Sequence, residues 1–389
     1  MKRSTACYLP LAHRDYQLPG LLQLLDVAAI EEKRSDCRID WRSLADGLGF
    51  AGGKRMVTIR EVAKEAGVSV ATASRALNGL KNVTRATREK IEAAALRLDY
   101  VPHSGARSLT RRQTDTIGII LPDLFGEFFS EIIRGIDMVV HAAGKNILLG
   151  NMHGSPAETV QAIRAMRGRV DGLLVMPPNS SVDTIGGSNN WNIPTVLLNA
   201  PARDADMPYV TVDNYAGARL VAEHLVGCGA KRIIHIAGPQ NNRDASERER
   251  GFRDVIKEKL GEANPVVLPG DFREDAGRDA AHALLSGGTP FDAVFAGNDV
   301  MAVDLITELR KAGLEIGKDV LVAGFDDIPL ARYVTPELTT VHSDITRLGS
   351  TGARLLLRML RGEDLGEERG LVIAPTLAVR GSTTGKASF

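Results

Sequence analysis

The sequence predicts two architectures in one chain: a small all-α helix-turn-helix module, then a large α/β body of two lobes, each a doubly wound parallel sheet. Three observations carry this. Between Thr58 and Leu98 the apolar residues recur at helical spacing, punctuated by Ser, Thr and Gly where caps are needed. From Thr116 onward, short apolar runs alternate with longer amphipathic stretches, the pattern of strand–helix units with parallel strands. That pattern continues for roughly 270 residues, more than one core usually spans, so two lobes follow.

Residues 1–55 are mixed in character and end in Phe50-Ala51-Gly52-Gly53-Lys54; they read as a weakly structured extension. The helical module is expected over 56–101. Thr58 with Glu61 forms a capping box, and Ile59, Val62, Ala63 and Ala66 give the first helix its apolar face. Gly67 supplies the positive φ that ends it. Ser69 caps a second helix, 70–77, with Ala73, Ala76 and Leu77 inward, and Asn78-Gly79 stops it. Thr84 opens a third helix with Glu89, Ile91, Ala94, Ala95 and Leu98 inward. Residues 102–114, with Pro102, Gly105 and several Ser, Thr and Arg residues, have the character of a linker.

In the body, expected over 115–382 with a tail at 383–389, strands are predicted at 117–121, 146–149, 172–176, 195–198, 232–237, 293–296 and 320–325. Helices are predicted near 127–143, 156–167, 214–227, 246–259, 274–286, 299–312 and 344–361.

The chain has 389 residues, 44% hydrophobic and 25% charged, with formal net charge zero. That zero conceals an asymmetry. Residues 57–112 hold 11 Lys and Arg against 5 acids, while 113–389 hold 28 against 36. A basic module on an acidic body points the module at a polyanion. No apolar run reaches the ~18 residues of a membrane span, and no apolar segment follows Met1-Lys2-Arg3 as a secretion signal requires. Cys7, Cys37 and Cys228 have no paired spacing, which fits a reducing, cytoplasmic setting.

Two short helices joined by a tight Gly turn place the second in a DNA major groove. The outer side of that helix reads Val70, Ala71, Thr72, Ser74 and Arg75, short residues and one Arg with no acid to repel phosphates. Three-helix packings also occur without DNA. The runs Val57-Thr58-Ile59-Arg60-Glu61-Val62-Ala63, Ala66-Gly67-Val68-Ser69, Ala71-Thr72-Ala73-Ser74-Arg75-Ala76-Leu77-Asn78-Gly79, Thr87-Arg88-Glu89-Lys90 and Tyr100-Val101-Pro102 decide between them. They resemble the lactose/galactose repressor family, and the resemblance covers 57–382.

The resemblance implies that Val70, Ala71 and Arg75 face base edges, with Arg75 suited to a guanine. Ser69, Thr72, Ser74 and Asn78 would position phosphates, with Thr58 also among the DNA contacts. Several members carry a larger polar pair where this chain has Val70 and Ala71, and Ala73 is smaller than the usual Val, so base preference does not carry over. The family's hinge helix maps to 103–109, where Ala106 approaches the minor groove and Leu109 is the apolar wedge.

The body resembles periplasmic sugar-binding proteins, which bind ligand between lobes at strand carboxyl ends. The resemblance places Phe128, Phe129, Arg248, Phe272, Asn298 and Asp299 in that cleft, with Asn199 and Asp326 as weaker candidates. Phe128 and Phe129 also fit the core, Phe128 the more so, and Asp326 and Asp327 also fit a turn cap. Aromatics mixed with planar polar groups favour a carbohydrate effector, with no cofactor or metal. Three crossings between lobes are expected, near Thr211 to Asp213, Thr339 to Ser343 and a return strand around Val372 to Pro375.

The expected protein is therefore an effector-controlled, sequence-specific DNA-binding transcription regulator, expected to act as a repressor. Palindromic double-stranded operator DNA and a homodimer are its implied partners. A transport solute-binding protein is the alternative, but it needs a secretion signal and no helical module. Enzymatic signatures are weak: Gly381 to Lys386 is a defective phosphate loop, and Cys228, on an apparent helix, has no evident His partner. His224 and His235 read as structural.

Overall fold

The computed structural model describes residues 57–78, 82–100, 113–153, 155–177, 193–200 and 207–384. The chain divides into two compact units, with the boundary between Val101 and Pro102. The expected extension over 1–55 and the hinge residues Ala106 and Leu109 lie outside the described residues.

The first unit contains α1 (Ile59–Glu65), α2 (Val70–Leu77) and α3 (Arg85–Arg97). Their apolar stripes meet in a core where Val62, Ala73, Ile91 and Ala94 have no exposed surface. Small residues at that contact let three short helices approach, and none of them is long enough to be stable alone. The ends follow the predicted chemistry. The Thr58 amide donates to the Glu61 carboxylate at 2.7 Å, Gly67 takes φ 65°, and the Ser69 hydroxyl accepts from the Thr72 amide at 3.1 Å. One expectation fails. Glu89 faces solvent and pairs with Arg85 one turn back; Arg88 turns inward instead, its guanidinium donating to the Ala76 carbonyl at 2.8 Å. A guanidinium there adds a donor to a carbonyl at the C-terminal end of α2.

In the second unit, the first lobe is a sheet of order β11-β5-β4-β3-β1-β2. Its strands are β1 (Thr116–Leu121), β2 (Asn146–Asn151), β3 (Gly172–Val175), β4 (Thr195–Leu198), β5 (Tyr209–Val212) and β11 (Gly370–Ile373). Every pairing is parallel, with Ile119 opposite Leu149 and Leu174. The second lobe has order β12-β10-β9-β8-β6-β7. It comprises β6 (Ile233–Ile236), β7 (Val267–Leu268), β8 (Ala293–Ala296), β9 (Leu321–Asp326), β10 (Thr339–His342) and β12 (Thr376–Ala378), and only β12 runs antiparallel to its neighbour. The helices are α4 (Glu127–Ala142), α5 (Pro156–Met166), α6 (Asn214–Gly227), α7 (Arg243–Leu260), α8 (Glu274–Ser286), α9 (Asp299–Lys311) and α10 (Ile345–Leu360).

The chain changes lobe where expected: after β5 at Asp213, after β10 into α10, and between β11 and β12. Within the first lobe α4 and α10 pack at backbone contact. A Cβ on Gly135 would lie 2.1 Å from the Thr346 carbonyl oxygen, and one on Gly349 would lie 2.3 Å from that of Ile132. Apolar positions pack on each sheet face, and polar groups gather where the strands end. Strands β7 and β12 have only two and three residues, too few for a period, and β5 and β10 carry polar residues within them, β10 reading Thr-Thr-Val-His.

Two smaller points bear on chemistry. Cys228, at the end of α6, lies 3.7 Å from His224 Nε2, so it does have a histidine neighbour one turn back, contrary to the sequence reading. Burial pushes the thiol up and the imidazole down, away from a thiolate–imidazolium pair. Ser382 and Thr383, in the supposed phosphate loop, are buried with their hydroxyls bonded to the Val322 carbonyl and to Thr339. Among the described residues, no helix is long and apolar enough to cross a membrane, and no cluster of His, Cys, Asp and Glu fits a metal ion.

Candidate functional sites: the exposed helix and the interlobe cleft

In the first unit, Val70, Ala71 and Arg75 of α2 are exposed, while Ala73 and Ala76 are buried. With about 100° per residue, Val70, Ser74, Asn78, Ala71 and Arg75 span one arc of about 140°, opposite the buried side. The face the sequence assigned to base edges is thus a single solvent-facing strip ending in a cation. Ser69 and Thr72 share a hydroxyl–hydroxyl bond of 2.8 Å, and Asn78 donates to the Ser74 hydroxyl at 3.3 Å, so Ser69 and Asn78 also serve as the end caps of α2. Thr58 is exposed at the start of α1.

In the second unit, Arg248 of α7 is the centre of a buried polar network. Its Nε donates to Asn214 Oδ1 at 2.8 Å, Nη1 to the Gly297 carbonyl at 2.6 Å and Nη2 to Asp326 Oδ1 at 3.0 Å. The guanidinium carbon lies 3.6 Å from the Phe325 ring centroid and 5.4 Å from that of Phe272. Stacking on aromatic faces suits a planar cation held out of water. The Asn214 amide donates at 3.0 Å to Asp244, which lies one turn before Arg248 on α7. Asp244 also accepts from Asn199, which follows β4 in the other lobe, and the Thr211 hydroxyl reaches Asn199 Oδ1 at 3.5 Å. The network therefore bridges the lobes.

Electrostatics match this enclosure. Burial raises Asp244 to about 6, with the Asp326 charge adding to the rise and Arg248 and Arg243 opposing it. Asp326 is raised by burial against the pull of Arg248. Asp299 is raised well above the carboxylate range by burial, with Asp326 adding to it. Asn199, Phe272 and Asp326 all have positive φ, at 54°, 67° and 106°. Non-glycine residues in that region cost energy and gather at binding sites.

The other expected residues divide. Phe272 stacks toward Arg248, and its ring fills the place that a Cβ on Gly238 would take. Asn298 caps α9, its amide donating to the Phe272 carbonyl at 3.0 Å and its oxygen accepting from the Met301 amide at 3.0 Å. Asp299 is fully buried, accepting from the Ile328 amide at 2.9 Å and from the Thr340 hydroxyl. Phe128 and Phe129 are half-buried against the first lobe's core in an edge-to-face pair, centroids 5.3 Å apart. Their ring contact is with each other and not with the Arg248 network. The sequence reading missed Asp244, Asn214, Thr211 and Phe325. Only Asp244 carried a readable signal: four residues before Arg248, it shares that helix face.

Residues 58–103 match the bacterial regulatory proteins, lacI family, and residues 222–383 match the periplasmic binding protein-like domain. The ribose operon repressor of Halalkalibacterium halodurans is 35% identical over 331 residues, spanning 85% of this chain and 98% of that protein. The chain belongs to the lacI family. As a lacI-family protein it is a DNA-binding transcription regulator. The lac repressor dimer bound to operator and the anti-inducer ONPF has the same architecture, with a TM-score of 0.76, 28% identity, and coverage of 85% of this chain and 99% of that one. The transcriptional regulator CelR in complex with cellobiose gives a TM-score of 0.63 at 31% identity, covering 84% and 99%.

Proposed function

We propose that this lacI-family regulator is a cytoplasmic repressor that binds a palindromic operator as a homodimer and whose operator affinity is set by a small carbohydrate held between its lobes. The observation that carries the effector reading is the Arg248 network. It joins both lobes through Asn199 and Asp244, is lined by planar polar groups and aromatic faces, and lies where strands end. Carboxylates, amides and a forked guanidinium are the groups that sort neighbouring hydroxyls by direction. The ribose operon repressor and the cellobiose complex among the relatives support a sugar, and the operator-bound lac repressor dimer supports the assembly.

In this reading Arg75 meets a guanine edge, Val70 and Ala71 make apolar contacts with bases, and Thr58, Ser69, Thr72, Ser74 and Asn78 hold phosphates. Ala106 and Leu109 would act at the minor groove, a role that rests on the resemblance alone. Arg248, Asp326, Asn199, Asp244 and Phe272 contact the effector, with Asn298 and Asp299 positioning them. Opening or closing the cleft moves the lobes about the three crossings, and the first lobe continues directly into the segment leading to the DNA module. The reading assigns the chain no catalysis.

A thermal-shift screen of mono- and disaccharides on the full chain tests it. A saccharide that raises the unfolding midpoint in a concentration-dependent way is the expected result. Silence across the whole panel would remove the carbohydrate assignment.

A further inference from the structure

We infer that the cleft is built to take an uncharged polyol and to refuse its phosphorylated counterpart, with Asp244 as the residue that sets this choice. The inference rests on the effector reading above and adds the ligand's charge to it.

Phosphate groups settle where helix N-termini converge, because open amides and the aligned helix dipole favour an anion there. In this fold α4, α6, α7 and α9 all begin at strand carboxyl ends, the places from which a cleft phosphate would be bound. Each carries an acid at its cap or in its first turn. Glu127 lies in the first turn of α4, Asp213 caps α6 by accepting from the Ala216 amide at 2.9 Å, Asp244 lies in the first turn of α7, and Asp299 in that of α9.

The available cations are also committed. Arg248 is paired with Asp326 and gives its other hydrogen bonds to Asn214 and the Gly297 carbonyl. Arg243, the first residue of α7, sits beside Asp244, which offsets its charge. Against these two cations stand the carboxylates of Asp244 and Asp326. A phosphate entering this space would lose its hydration without gaining a free cation, the costly case for a buried charge. Hydroxyl groups meet the opposite situation. Carboxylate oxygens with spare lone pairs accept from them, and no buried charge then needs an answer.

Asp244 is the acid best placed to discriminate, because it accepts from both Asn199 and Asn214 and so faces the seam between the lobes. Replacing it by Asn removes the charge, gives up one of the two accepted hydrogen bonds and leaves the start of α7 open to an anion.

The test measures binding to the full-length protein by thermal shift and calorimetry for matched pairs: D-ribose and D-ribose 5-phosphate, D-glucose and D-glucose 6-phosphate, D-fructose and D-fructose 1-phosphate. For the pair that binds, the wild type should favour the neutral sugar by about tenfold or more. Asp244→Asn should narrow that preference mainly by strengthening the phosphate ester, with a single cooperative unfolding transition as evidence of an intact fold. A wild-type protein that binds any phosphorylated member as tightly as its parent overturns the charge rule, as does an unchanged preference in Asp244→Asn. If no neutral or phosphorylated sugar binds at all, the carbohydrate reading itself fails, a result distinct from either.

Discussion

Asp244, on the second lobe, accepts a hydrogen bond from Asn199 on the first, and the same carboxylate accepts from Asn214 at 3.0 Å. One acidic side chain thus ties the two halves of the cleft to the helix that carries Arg248. Removing the far partner should loosen closure without harming either core. Asn199→Gly, which accommodates the positive φ of 54°, is expected to weaken sugar binding by about tenfold, the scale of one charge-assisted hydrogen bond. The urea midpoint without ligand should stay close to wild type. Isothermal titration alongside urea unfolding checks both halves of this prediction.

The Arg248–Asp326 pair is buried at both ends. Arg248→Met leaves the Asp326 carboxylate enclosed without its cation, which typically costs about 3–5 kcal/mol. Asp326→Leu in addition should recover part of that loss, since an apolar pair of similar volume is tolerated better than a lone charge. Urea denaturation of the single and double variants measures this. A double variant no more stable than Arg248→Met would mean that the pair is not the source of the loss.

Packing of α4 on α10 is sensitive to a single methyl group. Gly135→Ala would place a Cβ 2.1 Å from the Thr346 carbonyl oxygen, which is backbone and cannot swing aside. The helices must separate, and destabilisation of about 1–3 kcal/mol is expected. Gly227→Ala, on α6 where no atom lies within 4 Å, is the matched control and should be neutral or slightly stabilising. Thermal melts of the two variants compare them directly.

His235 is fully buried, with Nδ1 2.9 Å from the Phe295 carbonyl and its ring stacked 4.7 Å from Phe295. Burial lowers it from 6.5 to about 4. A histidine depressed in the folded state contributes stability that is present above its unfolded value and lost as pH falls through the folded one. The loss between pH 6.5 and pH 4 is about 3 kcal/mol. Asp244, raised to about 6, acts in the opposite sense, its contribution fading as pH rises through 6. The two overlap in wild type, so comparison with His235→Phe is the measurement that separates them. Between pH 7 and pH 4 the wild type should lose about 3 kcal/mol more than the variant. Parallel pH profiles would show that His235 does not titrate in this way.

The fold was legible where hydrophobic period and cap chemistry agreed. Helices 214–227 and 274–286 and strands 195–198 and 293–296 fall where the sequence pattern put them, because each has an apolar run and a terminating signal. Glu89 was misjudged because helical periodicity alone cannot tell an acid on the edge of the inner face from the neighbouring Arg88 that reaches a carbonyl. Strand β7 was invisible because two residues carry no period.

Cleft residues were legible to different depths. Arg248 and Asp326 were named from the sequence, but their mutual ion pair spans 78 positions and no local pattern encodes it. Asp244 and Asn214 look like ordinary helix-start residues until the fold sets them beside Arg248. Asp299 and Asn298 were expected to meet ligand; in the structure their side chains hold Thr340, Ile328, Phe272 and Met301 in place. Position in the chain marked them as important, whereas only the packing shows what they hold.

At the DNA-binding helix, Arg75→Ala should weaken binding to an operator selected from random duplexes by the full-length protein. A loss of about 1–3 kcal/mol is expected, with relaxed preference at one base pair and the sugar response intact. Fluorescence anisotropy on the selected duplex and its single-base variants measures both effects.

The central claim is that cleft occupancy controls operator affinity, and one titration tests it most directly. Anisotropy of the selected operator duplex is followed for wild type and Arg248→Met, with and without a saturating concentration of whichever sugar stabilises the wild type. The account predicts an operator affinity for wild type that changes by about tenfold or more with sugar, and no such change in Arg248→Met. A sugar that binds and stabilises the wild type while leaving its operator affinity unaltered would contradict it.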